Sequence, residues 1–383
     1  MDYFLTDEEK ELQALFREFA ERELMPRRRQ LEEAGFPREL LKKMAELDFF
    51  RILVPEEYGG FGDKTMYIVL AIEQLARAEP GVAISFGGVG LGTIPIILAG
   101  TKEQKERYLP KVADGEYIAA FAVTEPDAGS DVSAVKTRAV KKGDRYILNG
   151  VKRFITNGGE ADFYVVMAST DPSRGARGIS AFIVDKDTPG LKFGKKEDKI
   201  GIRASVTREI IFEDAEVPEE NLLGGREGTG FLITMKTFDY SRPAVGAQAL
   251  GIAQGAFEEA VKYAKERRQF GQPIGSFQAI QFMLADMATK IEAARALLYT
   301  VARNIDAGAK EISHLSAMAK YFPADVAMEV TINAVQIFGG YGYTKDYIVE
   351  KYMRDAKITQ IYEGTNQIQR MLLGSHIVRK RGV

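Results

Sequence analysis

The chain has 383 residues, 45% hydrophobic and 28% charged, which suits a globular protein with more than one core. Its formal charge of -2 gives no bulk electrostatic drive toward nucleic acid or an anionic membrane. Cysteine is absent and His314 and His376 are the only histidines, which excludes disulfides and thiolate metal sites and leaves acid–base work to a carboxylate rather than a Ser-His-Asp set.

The first residues, MDYFLTDEEKELQALF, form an acidic helix start without the profile of a secretory signal or transit peptide. The default expectation is a cytoplasmic protein, or a mitochondrial matrix one if a transit peptide has been removed. Thr6-Asp7-Glu8-Glu9 is a capping-box pattern, followed by Leu12, Leu15, Phe16 and Phe19 on one helical face. Pro37 is expected to open a second helix carrying Leu40, Leu41, Met44 and Leu47. The run GVAISFGGVGLGTIPIILAG is the most apolar; its glycines and helical flanks predict a buried core segment, and no stretch is expected to approach a bilayer span. Within it GVGLGT at 88–93 has Thr93 where a dinucleotide fingerprint needs its third glycine, and no alternating strands and helices surround it, so it is not an NAD site. Thr101–Gln104 repeats the capping box.

From about residue 116 the hydrophobic period changes to two. DRYIL-NG-VKRFI predicts a hairpin turning at Asn149-Gly150, and DFYVVMAS, GISAFIVD and TREIIFEDAEV are further strands. No helix long enough for a βαβ crossover intervenes, which predicts an antiparallel middle domain. From about residue 228 long helices return, around 251–268, after Ser276 with Ile280, Leu284, Met287 and Ile291 in the bundle core, and over 313–338. The expected domains are 1–115, 116–227 and 228–383.

Several motifs suit a ligand. FAVTEPDAGSD at 121–131 can bring backbone N–H groups and the Thr124 and Ser130 hydroxyls to a polar group, although a surface loop has the same composition. RFITNG at 153–158 offers Phe154 for stacking and Thr156 as a donor. FDYSRP at 238–243 and ERRQFGQPIGSFQ at 266–278 place arginines at loop or helix ends, where they suit phosphate oxygens. QIFGGYGY at 336–343 pairs two glycines after a helix. Near the C-terminus, Glu363 precedes Gly364, and Thr365 is the expected N-cap of a helix with Ile368, Met371 and Leu372 on one face.

Together and in order, these motifs resemble the acyl-CoA dehydrogenase family along nearly the whole chain, most closely its short- and medium-chain branch; RDAKITQIYEGTNQIQR is similar to the family's C-terminal signature. The resemblance implies an α+β fold: an N-terminal helical domain, a middle antiparallel β-domain and a C-terminal four-helix bundle. It implies non-covalent FAD, a homotetramer built as a dimer of dimers, and reoxidation by electron-transfer flavoprotein. Glu363 matches the catalytic base, which removes the α-proton of an acyl-CoA while the β-hydrogen leaves as hydride. Phe121, Val123, Thr124, Phe154 and Thr156 match residues around the flavin ring, and Ser130 matches a contact to phosphate or CoA. Arg267, Gln269, Phe270, Ile274, Gln278, Gln336, Gly339 and Gly340 match positions holding the FAD of a neighbouring subunit, with Thr365 and Gln367 as further FAD contacts. Phe238, Asp239, Arg242, Tyr362 and Gly364 match the acyl-CoA side. Phe154 departs from the tryptophan of many relatives, and Gly87 stands where medium-chain relatives carry larger side chains, which predicts either a roomier acyl pocket or close helix packing. An acyl-CoA oxidase, an enoyl-CoA reductase and a silent FAD- or CoA-binding scaffold are the alternative functions on this fold.

Overall fold

The computed structural model describes residues 3–62 and 64–379. Helices α1 (Asp7–Phe19), α2 (Arg28–Ala34), α3 (Arg38–Glu46), α4 (Thr65–Ala78), α5 (Pro80–Ala99) and α6 (Lys102–Ala113) come first. Both capping boxes form: Thr6 Oγ1 accepts from Glu9 N at 3.2 Å, and Thr101 Oγ1 accepts from Gln104 N at 3.3 Å. Pro37 is the residue before α3 rather than its first turn, and α2 is a helix the periodicity did not reveal. Phe16, Phe49, Phe50 and Phe86 fill the core between α1 and α5; burying each such ring contributes about 1.5–3 kcal/mol.

Contrary to expectation, α5 is 20 residues long and apolar enough to cross a membrane by length and composition. Most of it is buried against other helices and the sheet, so it is a core helix. Its glycines explain how. A Cβ on Gly92 would stand 2.7 Å from Ala120 N, and one on Gly88 would stand 3.0 Å from Thr156 Cγ2. The helix backbone therefore lies almost directly on the strands.

The middle region holds β1 (Ala119–Ala122), β2 (Arg138–Lys142), β3 (Arg145–Thr156), β4 (Phe163–Ser169), β5 (Ile179–Asp185), β6 (Leu191–Lys196) and β7 (Thr207–Pro218). The order is β1-β4-β2-β3-β7-β6, with β5 also on β4. Two expectations fail here. The sheet is not wholly antiparallel, because β1 pairs parallel with β4, the connection running through the β2–β3 hairpin instead of a helix. Asn149-Gly150 is not the turn. Lys142 pairs with Arg145, so Gly143 (φ 63) and Asp144 make it, and β3 runs straight through Gly150. Gly150 serves instead at a register shift against β7, where a Cβ would meet Thr137.

The C-terminal region contains α7 (Gly230–Glu266), a hairpin of β8 (Arg268–Gln269) and β9 (Gln272–Pro273), then α8 (Gln278–Asp306), α9 (Ser313–Phe338), α10 (Val349–Ala356) and α11 (Asn366–Arg379). Helix α7 is much longer than the sequence pattern suggested and continues through Pro243. Proline cannot donate to the carbonyl four residues back; that carbonyl, Asp239 O, accepts from Ser316 Oγ at 2.5 Å. On α8, Met287 and Ile291 are buried while Ile280 and Leu284 are only half-buried. A buried cluster ties the three regions together: Lys351 Nζ lies 2.9 Å from Glu79 and 2.6 Å from Asp355, and Asp355 accepts from Ile202 N.

Candidate active site

Glu363 sits in the short segment between α10 and α11, at φ 52, followed by Gly364 at φ 91. A left-handed glutamate is uncommon and costs free energy unless its surroundings hold it. Three buried side chains do so. Arg242 Nε donates to Glu363 O at 3.3 Å, Gln369 Nε2 donates to Glu363 O at 3.1 Å and to Gly364 O at 2.9 Å, and Lys320 Nζ donates to Gly364 O at 2.8 Å. Thr365 caps α11 by accepting from Ile368 N at 3.3 Å.

The Glu363 carboxylate accepts from Ser241 Oγ. Burial pushes its pKa above the usual carboxylate range, opposed by the Ser241 hydrogen bond and by the charges of Arg242 and Lys320. The Glu363 N–H has no hydrogen-bond acceptor among the described residues. The carboxylate and the free N–H therefore belong to one strained residue.

Glu363 and Ser241 form one end of a narrow cavity of about 30 Å³. The rest of its wall is largely apolar, with Leu53, Ile68, Ile72, Leu91, Ile94 and Val245 among the lining residues. Gly87 and Gly90 of α5 line it too; a Cβ on Gly87 would lie 3.2 Å from Ile72 Cδ1, and one on Gly90 3.2 Å from Leu53 Cδ2.

Arg242 was expected at a loop or helix end; it lies inside α7, buried, and pairs with Asp239 at 3.4 Å. Burial lowers the Arg242 pKa and raises that of Asp239. Asp239 also accepts from Ser313 Oγ. Tyr362 donates to Gln248 Oε1, while Gln248 Nε2 donates to Pro80 O at 3.2 Å, fixing this segment against the start of α5. Phe238 carries the contact to the sheet, its ring centroid 5.9 Å from that of Phe121 in an edge-on arrangement.

On the sheet side, Phe121 and Val123 are buried, Thr124 and Thr156 are half-buried, and Ser130 is exposed. Lys152 is fully buried and holds this corner, donating to Val123 O at 3.0 Å and Glu125 at 2.7 Å; burial pushes its pKa down to about 8. Phe154 is held at φ 58 and the residue is 57% exposed. The Thr124 and Thr156 hydroxyls have no hydrogen-bond partner among the described residues.

Arg267, Gln269, Phe270, Ile274, Gln278, Gln336, Gly339 and Gly340 form a second group, on the hairpin and the adjoining ends of α7, α8 and α9. Arg267 lies over the Tyr341 ring at 5.2 Å and has no carboxylate partner among the described residues. Phe270 is 93% exposed at φ 52, and a Cβ on Gly339 or Gly340 would meet nothing within 4 Å. Gln367 is exposed on α11. On α11 Met371 is exposed and Ile368 and Leu372 are half-buried, while Asn366 and Gln369 are the buried residues, because the inner side of the helix meets the polar clamp.

Sequence reasoning missed Ser241, Gln248, Lys320 and Gln369. A lysine within the mostly apolar run AMAKYFPADVAM was the available signal for one of them.

Models of the acyl-CoA dehydrogenase N-terminal, middle and C-terminal domains match residues 6–116, 120–215 and 228–378. The chain belongs to the acyl-CoA dehydrogenase family. It is 48% identical to the short-chain specific acyl-CoA dehydrogenase of Clostridium acetobutylicum, over 99% of this chain and 100% of that one. Butyryl-CoA dehydrogenase from Megasphaera elsdenii superposes with a TM-score of 0.96 at 47% identity, covering 99% and 100% of the two chains. A chain of the structure described as electron transferring flavoprotein of Acidaminococcus fermentans superposes with a TM-score of 0.95 at 54% identity, covering 99% and 100%. As a family member the protein is an FAD-dependent oxidoreductase acting on acyl-CoA. The residues fit that cofactor. The exposed ring of Phe154 can stack, the unpartnered threonine hydroxyls can donate, and the uncompensated Arg267 can meet a phosphate.

Proposed function

We propose that Glu363 is the base that removes the α-proton of an apolar acyl-CoA whose acyl chain lies in the cavity between Glu363 and α5. The observation that carries this reading is the placement of one strained carboxylate, the only charged side chain among the lining residues, in the wall of a largely apolar cavity. Glu363 works in its ionised form, and burial makes that form a stronger base. The free N–H of the same residue suits the thioester oxygen, where negative charge develops as the α-proton leaves. FAD, when bound, accepts the β-hydrogen as hydride. Phe121, Val123, Thr124, Phe154 and Thr156 are the residues to hold its ring, with Ser130 toward phosphate or CoA. Phe238, Asp239, Arg242, Tyr362 and Gly364 line the acyl-CoA side, and electron-transfer flavoprotein takes the electrons onward.

The α5 end of the cavity offers no charged side chain among its lining residues. A buried charge without a partner is costly, so the substrate class is an uncharged acyl group, and a terminal carboxylate is rejected. Each methylene that the cavity buries contributes about 0.8 kcal/mol.

The protein assembles as a homotetramer, a dimer of dimers. Support comes from the exposed apolar side chains of the C-terminal region, including Phe270, Phe282, Ile332, Tyr343 and Met371. In that assembly Arg267, Gln269, Phe270, Ile274, Gln278, Gln336, Gly339 and Gly340 reach the FAD of a neighbouring copy, with Thr365 and Gln367 adding contacts. Loss of FAD and of assembly together in Arg267→Ala is the expected sign of this arrangement; full FAD occupancy in an isolated monomer would contradict it.

The decisive experiment is anaerobic stopped-flow bleaching of the flavin with a panel of acyl-CoAs, including ω-carboxylated ones. Rapid bleaching by uncharged acyl-CoAs is expected. Bleaching by the carboxylated compounds alone would overturn the substrate class, and no bleaching by any would overturn the activity. Turnover with electron-transfer flavoprotein compared with O₂ separates a dehydrogenase from an oxidase.

A further inference from the structure

Lys320 is fully buried on α9, on the same face as Ser316, Pro323 and Ala324. Its ammonium donates to Gly364 O at 2.8 Å and to Asn366 Oδ1 at 3.0 Å, and it forms no direct ion pair with a carboxylate among the described residues. A buried cation held only by neutral acceptors is expensive, and a lysine placed this way needs a reason. The backbone brings it there by close contact. A Cβ on Gly246 of α7 would stand 2.0 Å from Ala319 O, so α7 and α9 touch at the residue before Lys320.

The charged and titratable groups around it come from four elements. Arg242 of α7, Asp325 of α9 and Glu363 of the strained segment act on its charge directly, and behind them Asp239 faces Arg242, Tyr362 faces Glu363 and Arg370 of α11 faces Asp325. Asp325 is already engaged, paired with Arg370 and accepting from Asn366 and Gln360. Asp239 is paired with Arg242. That leaves Glu363 as the carboxylate without a direct ion pair on which the Lys320 charge acts.

We propose that Lys320 is the positioning residue of the catalytic base: its ammonium holds the left-handed Glu363–Gly364 turn by the Gly364 carbonyl and supplies a positive charge that favours the ionised carboxylate. The assignment rests on the reading of Glu363 as the base. Gln369 differs from Lys320 in a useful way. It grips the same Gly364 carbonyl, and that of Glu363 as well, but carries no charge, so it shares the geometric role and not the electrostatic one. Burial pushes the Lys320 pKa down to about 7, with the charge of Glu363 opposing, consistent with two ionisations that support each other.

The test uses FAD-loaded Lys320→Met and Gln369→Leu enzyme. Rates of anaerobic flavin reduction by butyryl-CoA are measured across pH, alongside the affinity for a non-reacting thioether analogue of butyryl-CoA and the melting temperature. Misplacing a reacting group by about 1 Å can cost about 10²-fold, so both variants should reduce flavin on the order of 10²-fold more slowly while analogue affinity changes little. In Lys320→Met the midpoint of the pH–rate profile should also move to higher pH; in Gln369→Leu it should stay. Addition of ethylamine to Lys320→Ala should restore part of the rate. An unmoved midpoint in Lys320→Met, with a lower melting temperature as the only other change, would make Lys320 structural and overturn the proposal. If Lys320→Met yields no folded enzyme, a displaced midpoint in Gln369→Leu overturns it equally, because the charge would still be present. Near-normal reduction by Glu363→Gln would instead defeat the base assignment itself, whatever Lys320 does.

Discussion

At the Glu363 end of the cavity, polar groups are buried and the backbone is strained; at the α5 end the backbone is regular helix and the walls are apolar. The first end is built from residues far apart in sequence: Ser241 and Arg242 of α7, Lys320 of α9 and Gln369 of α11. The second depends on glycines within one helix, which use its two faces differently. Gly88 and Gly92 let α5 lie on the sheet, whereas Gly87 and Gly90 border the cavity. The contrast separates chemistry from capacity. Reaction rate should be sensitive at the polar end, and substrate size at the glycine end.

The largest effect should come from Glu363→Gln, which keeps side-chain size and removes basicity. Flavin reduction should fall by about 10²–10⁴-fold, while equilibrium binding of an acyl-CoA analogue survives. A loss of binding matching the loss of rate would mean that the polar end also sets affinity.

The docking face of α5 should respond next, and through stability. Gly92→Val must push against Ala120 backbone, and such overpacking typically costs about 1–3 kcal/mol. A lowered melting temperature with loss of FAD for every substrate alike is the expected pattern. An unchanged melting temperature would show that the helix can lift from the sheet without cost.

Gly87→Leu probes the other face of the same helix. Its nearest contact is the flexible end of Ile72, so the fold should persist while the cavity shortens. Activity on longer or bulkier acyl-CoAs should drop, by roughly 0.8 kcal/mol for each methylene no longer buried, and butyryl-CoA should be nearly unaffected. Equal losses across the panel would assign Gly87 to packing alone.

The smallest effect concerns pH. Burial raises the Glu363 pKa above its unfolded value, so the folded protein holds this proton more tightly. The resulting contribution to stability is present below the unfolded pKa and is lost as pH rises through the folded one. Glu363→Gln should therefore melt higher than the parent at pH above that range and gain progressively less as pH falls. A variant that melts lower at every pH would show that Ser241, Arg242 and Lys320 depend on the carboxylate more than burial opposes it.

The sequence by itself determined the helix–strand–helix order, both capping boxes, the helix over 313–338 and the Glu363-Gly364-Thr365 signature, because each rests on a local period or a short motif. It also excluded a dinucleotide fingerprint in GVGLGT, which proves to be helix throughout. Tertiary structure decided the rest. Asn149-Gly150 looks like a turn locally, but pairing with β7 keeps β3 straight through it. Arg242 looks like a helix-end arginine beside Pro243, but Ser316 satisfies the freed carbonyl and the helix continues. On α11 the apolar period does not mark the inner side, because the buried residues there are Asn366 and Gln369. The clamp on Glu363 was least legible of all. Its members are separated by up to 128 positions from Ser241 to Gln369, and only the crossing of α7, α9 and α11 brings those polar side chains to the same two residues, Glu363 and Gly364.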